Sequence, residues 1–153
     1  MKRFAATAAL ILSSAIGHAA YSRGIPLLTY DELFAKSDFV VIAKPITNTR
    51  DTSERKLLGP LSPPVPVIGV VTDFESLLVL KGTKPRRFML HHYREVRPKF
   101  MVDGLNLIEF HPNKSQRQFY LLFLAREPNG RFAPVAGQDW VDISVQELSG
   151  NPQ

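Results

Sequence analysis

The chain has 153 residues, 44% of them apolar and 10% aromatic, with no cysteine and a formal charge of +5 at neutral pH. This composition excludes a disordered low-complexity chain, a disulfide framework, a thiolate metal site and a thiol nucleophile. The positive excess is mild and argues against nucleic acid as a partner, while leaving room for an acidic protein surface or an anionic polymer.

Residues 1–19 carry the three parts of a secretory signal. Lys2 and Arg3 form a basic start, Phe4 to Ile16 an apolar stretch, and Gly17-His18-Ala19 a small-x-small cleavage site. The apolar run is shorter than the roughly 20 residues needed to cross a bilayer, so no transmembrane segment is expected after cleavage. Processing would remove two of the excess positive charges and leave residues 20–153 as a single domain, in the periplasm or secreted. One compact core is the default at this length.

Thr29-Tyr30-Asp31-Glu32 reads as a capping box, with Leu28 and Leu33 placed as a hydrophobic staple. It predicts a short helix from Tyr30 to Ser37, with Leu33 and Phe34 facing the body of the domain. Phe39 to Ala43 is compact and β-branched, as expected of an interior strand. Residues 47–64 are polar and then rich in Pro and Gly, and are expected to form a long exposed loop or hairpin tip.

Val65 to Leu80 is the longest β-prone stretch, expected to bend near Gly69 or at Glu75-Ser76 because a straight strand of that length is unusual. Lys81-Gly82-Thr83 makes a turn. The strand from Arg86 to Tyr93 puts Phe88, Leu90 and His92 on one face and Met89, His91 and Tyr93 on the other. A further short strand is expected from Leu105 to His111. Phe119 to Ala125 is apolar enough to be central, and Asn129-Gly130 reverses it into Phe132 to Val135. Residues Gln138 to Leu148 have a weak helical pattern, and Trp140 is expected to pack the tail against the domain.

About six strands without βαβ alternation predict a mainly β, antiparallel fold: a small OB-like barrel with one or two short flanking helices, or a β-sandwich as the alternative. Bulky inward residues such as Phe74, Phe88, Leu122 and Leu124 favour a filled interior over an uncharacterised small-ligand carrier.

Several of these segments resemble domains of the tissue-inhibitor-of-metalloproteinase and netrin-module superfamily. The run from Tyr30 to Val41 is similar to the helix followed by Ser-Asp-x-Val-Val that opens those domains. Val79-Leu80-Lys81-Gly82 resembles the Lys-Gly turn after their second long strand, and Tyr120 to Leu124 with Asn129 to Phe132 resembles a later central hairpin. The resemblance implies an OB-type barrel flanked by helices. It does not carry the inhibitory function, because inhibitors of that superfamily tether their active edge with cysteine and this chain has none.

The sequence contains no nucleophile elbow, no His-Glu-x-x-His, no phosphate loop and no dinucleotide fingerprint. The candidate metal ligands are His91, His92, Glu109 and His111, nitrogen and oxygen donors suited to zinc, although adjacent strand residues point to opposite faces. A small metal-dependent hydrolase built on them is the alternative function. A possible binding surface combines Arg86, Arg87, Tyr93, Arg94, Arg97 and Lys99. The leading expectation is an exported, non-enzymatic binding module without a cofactor. It would engage a protein or an anionic envelope component through an exposed apolar-plus-basic patch, and would hold no buried cluster of carboxylates and histidines.

Overall fold

The computed structural model describes residues 28–58, 64–83, 85–96, 107–112, 118–137 and 141–149. The predicted signal at 1–19, Arg97, Lys99 and Trp140 lie outside the described residues. In chain order the elements are α1 (Tyr30–Lys36), β1 (Phe39–Pro45), β2 (Arg50–Leu58), β3 (Val65–Lys81), β4 (Arg87–Glu95), β5 (Gln118–Arg126), β6 (Phe132–Pro134), α2 (Val141–Ser144) and β7 (Val145–Ser149).

The strands run β1-β3-β4-β6-β5, and β5 pairs again with β1, closing a five-stranded barrel. Every ladder of the barrel is antiparallel except β4 with β6, which meet in parallel at Leu90 and Phe132. Numbered within the barrel, the order is first, second, third, fifth, fourth and back to the first, an OB-like arrangement. The closing β1–β5 ladder rules out the sandwich. β2 adds to the outside of β3, and β7 adds to β5.

Alternation along each strand fills the interior. Phe39, Val41 and Ala43 of β1 meet Phe74, Phe88, Leu90, Leu122, Leu124 and Phe132 in one buried cluster. Phe88 stacks on Phe74 and meets Phe39 and Phe132 edge-on, geometries that add specificity to area burial. The opposite face of β1 is covered as well, by α1: Val40 packs with Leu33 and Phe123. The capping box is present, with the Thr29 side chain accepting from the Glu32 N–H and the Glu32 carboxylate accepting from the Thr29 N–H. Phe34, expected to face inward, is exposed, with Lys81 over its ring.

Four other expectations are corrected. Half of the supposed loop at 47–64 is strand: β2 pairs with β3 from Arg50 to Leu58, while 59–63 lie outside the described residues. Its polarity reflects a strand whose outer face meets water, a pattern that composition alone reads as loop. The predicted strand at 105–111 is irregular across its described residues, 107–112. There Phe110 turns fully inward, and its N–H and C=O are taken by Thr49 instead of a neighbouring strand. The tail is divided: Val141–Ser144 is the short helix α2, and only after it does β5 supply a ladder for Val145–Ser149 that outweighs the weak helical pattern. Finally, Gly130 alone adopts positive φ in the β5–β6 turn, while Asn129 uses its side chain to accept from the Arg131 N–H.

The long β3 is irregular where it borders β1. Extra residues at Leu77 and Leu80 shift the register, placing one break just past the predicted Glu75-Ser76 step. At Gly69 the irregularity is on the partner strand: β2 fits Thr52 to Glu54 opposite this one residue. A Cβ on Gly69 would come within 2.9 Å of both Glu54 Cβ and Thr52 Oγ1, so glycine lets β2 lie close.

Candidate functional sites

The predicted metal ligands separate into three environments. His91 lies on the outer face of β4, where β2 covers it, and is 2% exposed. Its Nδ1 is 2.8 Å from Glu127 Oε1 in the β5–β6 turn. Its Nε2 is 3.2 Å from Glu54 Oε2 of β2, an ion-pair distance not aligned as a hydrogen bond. Each ring nitrogen therefore faces a carboxylate. The chain of contacts continues outward, with the Tyr93 hydroxyl donating to Glu54 and Arg131 Nε donating to Glu127 at 2.8 Å.

This buried histidine–carboxylate cluster corrects the expectation that the module would hold none. The Tyr93 hydrogen bond is the main influence holding the Glu54 carboxyl below its ordinary range, against partial burial, with the charges of His91 and Arg131 adding to it. Burial and the facing Glu54 push the Tyr93 phenol up. With the imidazole between two carboxylates on opposite sides, one ion cannot meet all three groups, and no ring nitrogen is left to face a substrate. The cluster ties β2 and the β5–β6 turn to β4.

His92 points the other way, into the barrel. Its Nε2 lies 3.3 Å from Thr72 Oγ1, and its ring meets Phe110 edge-on. Burial, reinforced by the neighbouring His91 charge and slightly offset by a Tyr93 backbone bond, lowers its pKa to about 3. It is a neutral core residue.

Glu109 and His111 flank the inward Phe110, and both are exposed, with His111 Nε2 3.6 Å from Glu109 Oε2. They line a groove of about 470 Å³ together with Ile108, Gln118, Tyr120, Val145 and Glu147. Neither His91 nor His92 reaches it. Among the described residues no group of three His, Cys, Asp or Glu side chains is placed to hold a metal ion, so the four candidates are not brought together.

The predicted basic surface is also divided. Tyr93 is buried under β2. Arg94 forms a two-point pair with Asp51, Nε at 2.9 Å and Nη2 at 2.7 Å, which lowers the Asp51 pKa. Arg86 and Arg87 stay exposed at the start of β4. There Lys44 holds Glu75 at 3.0 Å, and Arg86 approaches Glu75 at 3.9 Å. Lys44 is the chief cause of the lowered Glu75 pKa.

Beside these cations β3 runs on past β4, pairing only with β1. Its two register shifts break the in-out alternation, leaving Leu77, Leu78 and Leu80 exposed just before Lys81, whose Nζ lies over the Phe34 ring. Sequence reasoning missed this edge because uniform leucines look like core. It also missed Glu54, Glu127, Tyr120 and Glu147, whose partners lie far along the chain.

Comparison with protein-family models, with curated proteins and with solved structures finds no match for the chain.

Proposed function

We propose that the chain is an exported, non-enzymatic binding module that docks an acidic protein surface against the outer end of β3. The carrying observation is the exposed Leu77, Leu78 and Leu80, bordered by Lys44, Lys81, Arg86 and Arg87 with Glu75 as their acidic neighbour. Clustered exposed apolar residues beside charge of one sign suit a partner with an apolar centre and an acidic rim. The extra residues at Leu77 and Leu80 distort the free strand edge, so docking proceeds through side chains and not by addition of a strand. A purely polar anionic polymer would leave the leucines unmatched. The OB-like strand order supports the resemblance to the inhibitor and netrin superfamily at the level of fold.

The triple variant Leu77→Ser, Leu78→Ser, Leu80→Ser tests this reading by cross-linking in envelope extract. The expected result is an acidic protein captured by the unaltered chain, weakened by high salt and lost in the variant. Capture that survives the variant, or is matched by an unrelated protein of equal charge, overturns it. So does leucine-dependent binding to anionic phospholipid vesicles alone. Export has its own test, since the mass of the accumulated protein should correspond to a chain starting at Ala20, and an uncleaved cytoplasmic chain would refute it.

A further inference from the structure

The groove beside Phe110 is unused by the proposed docking edge, and its construction points to a ligand. Three elements build it. The 107–112 segment is anchored by Phe110, whose backbone is held by Thr49 at 3.1 to 3.3 Å, and Glu109 and His111 flank that anchor. β5 contributes Gln118 and Tyr120, and β7 contributes Val145 and Glu147. Tyr120 and Glu147 are direct partners across the β5–β7 ladder.

The chemistry of the described lining is lopsided. Glu109 and Glu147 bring two carboxylates, and no Lys or Arg is among the described lining residues. Arg94, which feels the Glu109 charge, is already committed to Asp51 at two points. A second, independent observation comes from Tyr120. Its ring packs edge-on against Phe74 and Phe110 in the core, and the residue is only 6% exposed. Its hydroxyl makes no hydrogen bond among the described residues and is not sealed from solvent, so it is open to a partner in the groove. Burial, with Glu147 adding to it, pushes the phenol pKa up, so the group stays protonated with its oxygen lone pairs available to accept.

We propose that this groove binds an alkylammonium group, with Glu109 and Glu147 facing the charge, the Tyr120 oxygen and the Gln118 carbonyl accepting N–H bonds, and Ile108 and Val145 flanking the aliphatic stem. The volume is in the range of small-ligand sites. A compact divalent ion is a poorer match, because the acidic groups are not gathered to one point. The ammonium can come from a free diamine or from a lysine side chain of a peptide.

Amide-resolved NMR titration of the purified protein with 1,5-diaminopentane, and separately with N-acetyl-lysine amide, distinguishes the two sources. Saturable shifts centred on Glu109, His111, Gln118, Tyr120 and Glu147 are expected with at least one of them. Glu147→Gln should weaken binding about tenfold, roughly the effect of losing one charge-assisted hydrogen bond. Glu95→Gln, the same charge change on β4, should not. Tyr120→Phe, which keeps the ring and so the core, should weaken binding several-fold. Shifts that do not saturate, equal weakening by Glu95→Gln, unchanged affinity in Tyr120→Phe, or the same shifts produced at lower concentration by magnesium or zinc would each overturn the proposal. None of these outcomes bears on the leucine edge.

Discussion

Two histidine–carboxylate clusters, built from the same residue types, sit at different places on one barrel. Around His91 both ring nitrogens meet carboxylates, Tyr93 and Arg131 occupy the remaining carboxylate oxygens, and β2 seals the assembly. Around His111 the same chemistry lies open, with one loose approach to Glu109 and a tyrosine, Tyr120, whose hydroxyl makes no hydrogen bond among the described residues. Residue type therefore does not decide whether such a cluster holds the fold or receives a ligand. What decides it is whether a neighbouring element completes the set of donors and acceptors, since a buried polar group left unmatched is costly.

At neutral pH the largest expected effect breaks the closed cluster. His91→Leu leaves Glu54 and Glu127 facing each other across an apolar side chain. Both carboxylates retain some solvent contact, which reduces the penalty known for a fully buried broken pair. A loss of about 2 kcal/mol in urea unfolding is expected, with His111→Leu unchanged as its counterpart. Equal effects from the two substitutions would erase the distinction between the clusters.

A pH titration of stability sharpens the comparison from inside the barrel. The His92 ring takes up a proton near pH 6.5 when unfolded but stays neutral to about pH 3 when folded. Its contribution is therefore fully present above pH 6.5 and is lost as pH falls toward 3, at up to about 1.4 kcal/mol per pH unit. His92→Leu should flatten the decline between pH 6.5 and the carboxylate range. A decline of unchanged steepness would mean that the ring is not buried in its neutral form.

The smallest effect belongs to the open cluster. Glu109→Gln and Glu147→Gln should each change stability by no more than about 0.5 kcal/mol, as exposed substitutions do. A clear rise in stability in Glu147→Gln would indicate that carboxylate repulsion is stored in the groove. A clear fall would show that Glu147 is a structural residue.

Local signals were the legible part of this molecule. The Thr29–Glu32 capping box, the β-branched run at 39–43, and the alternation of Phe88, Leu90 and His92 each depend on neighbours within a few residues, and each has its expected structure. The opposite-face argument correctly separated His91 from His92. What stayed hidden depends on distant pairing. β2 is polar because only its inner face is covered, and that cover is β3. Phe110 reads as strand until Thr49 takes its backbone groups. Tyr93, an aromatic among arginines, looked like a binding platform until Glu54 arrived from a segment that resembled a loop. Leu77 to Leu80 reads as core because the irregularities that turn it outward arise from its register with β1.

The seam between β1 and β5 has a consequence for how the chain acquires its shape. The β2–β3, β3–β4 and β5–β6 pairings join elements that are consecutive in the chain, whereas Phe39 to Ala43 must find Tyr120 to Leu124 across most of the described length. Closing so long a loop costs conformational entropy before any contact repays it. The seam is therefore the natural late step of folding, and until it forms β1 and β5 present unpaired apolar edges to one another and to other chains. Conditions that slow this step would favour association between partly folded copies over completion of the barrel.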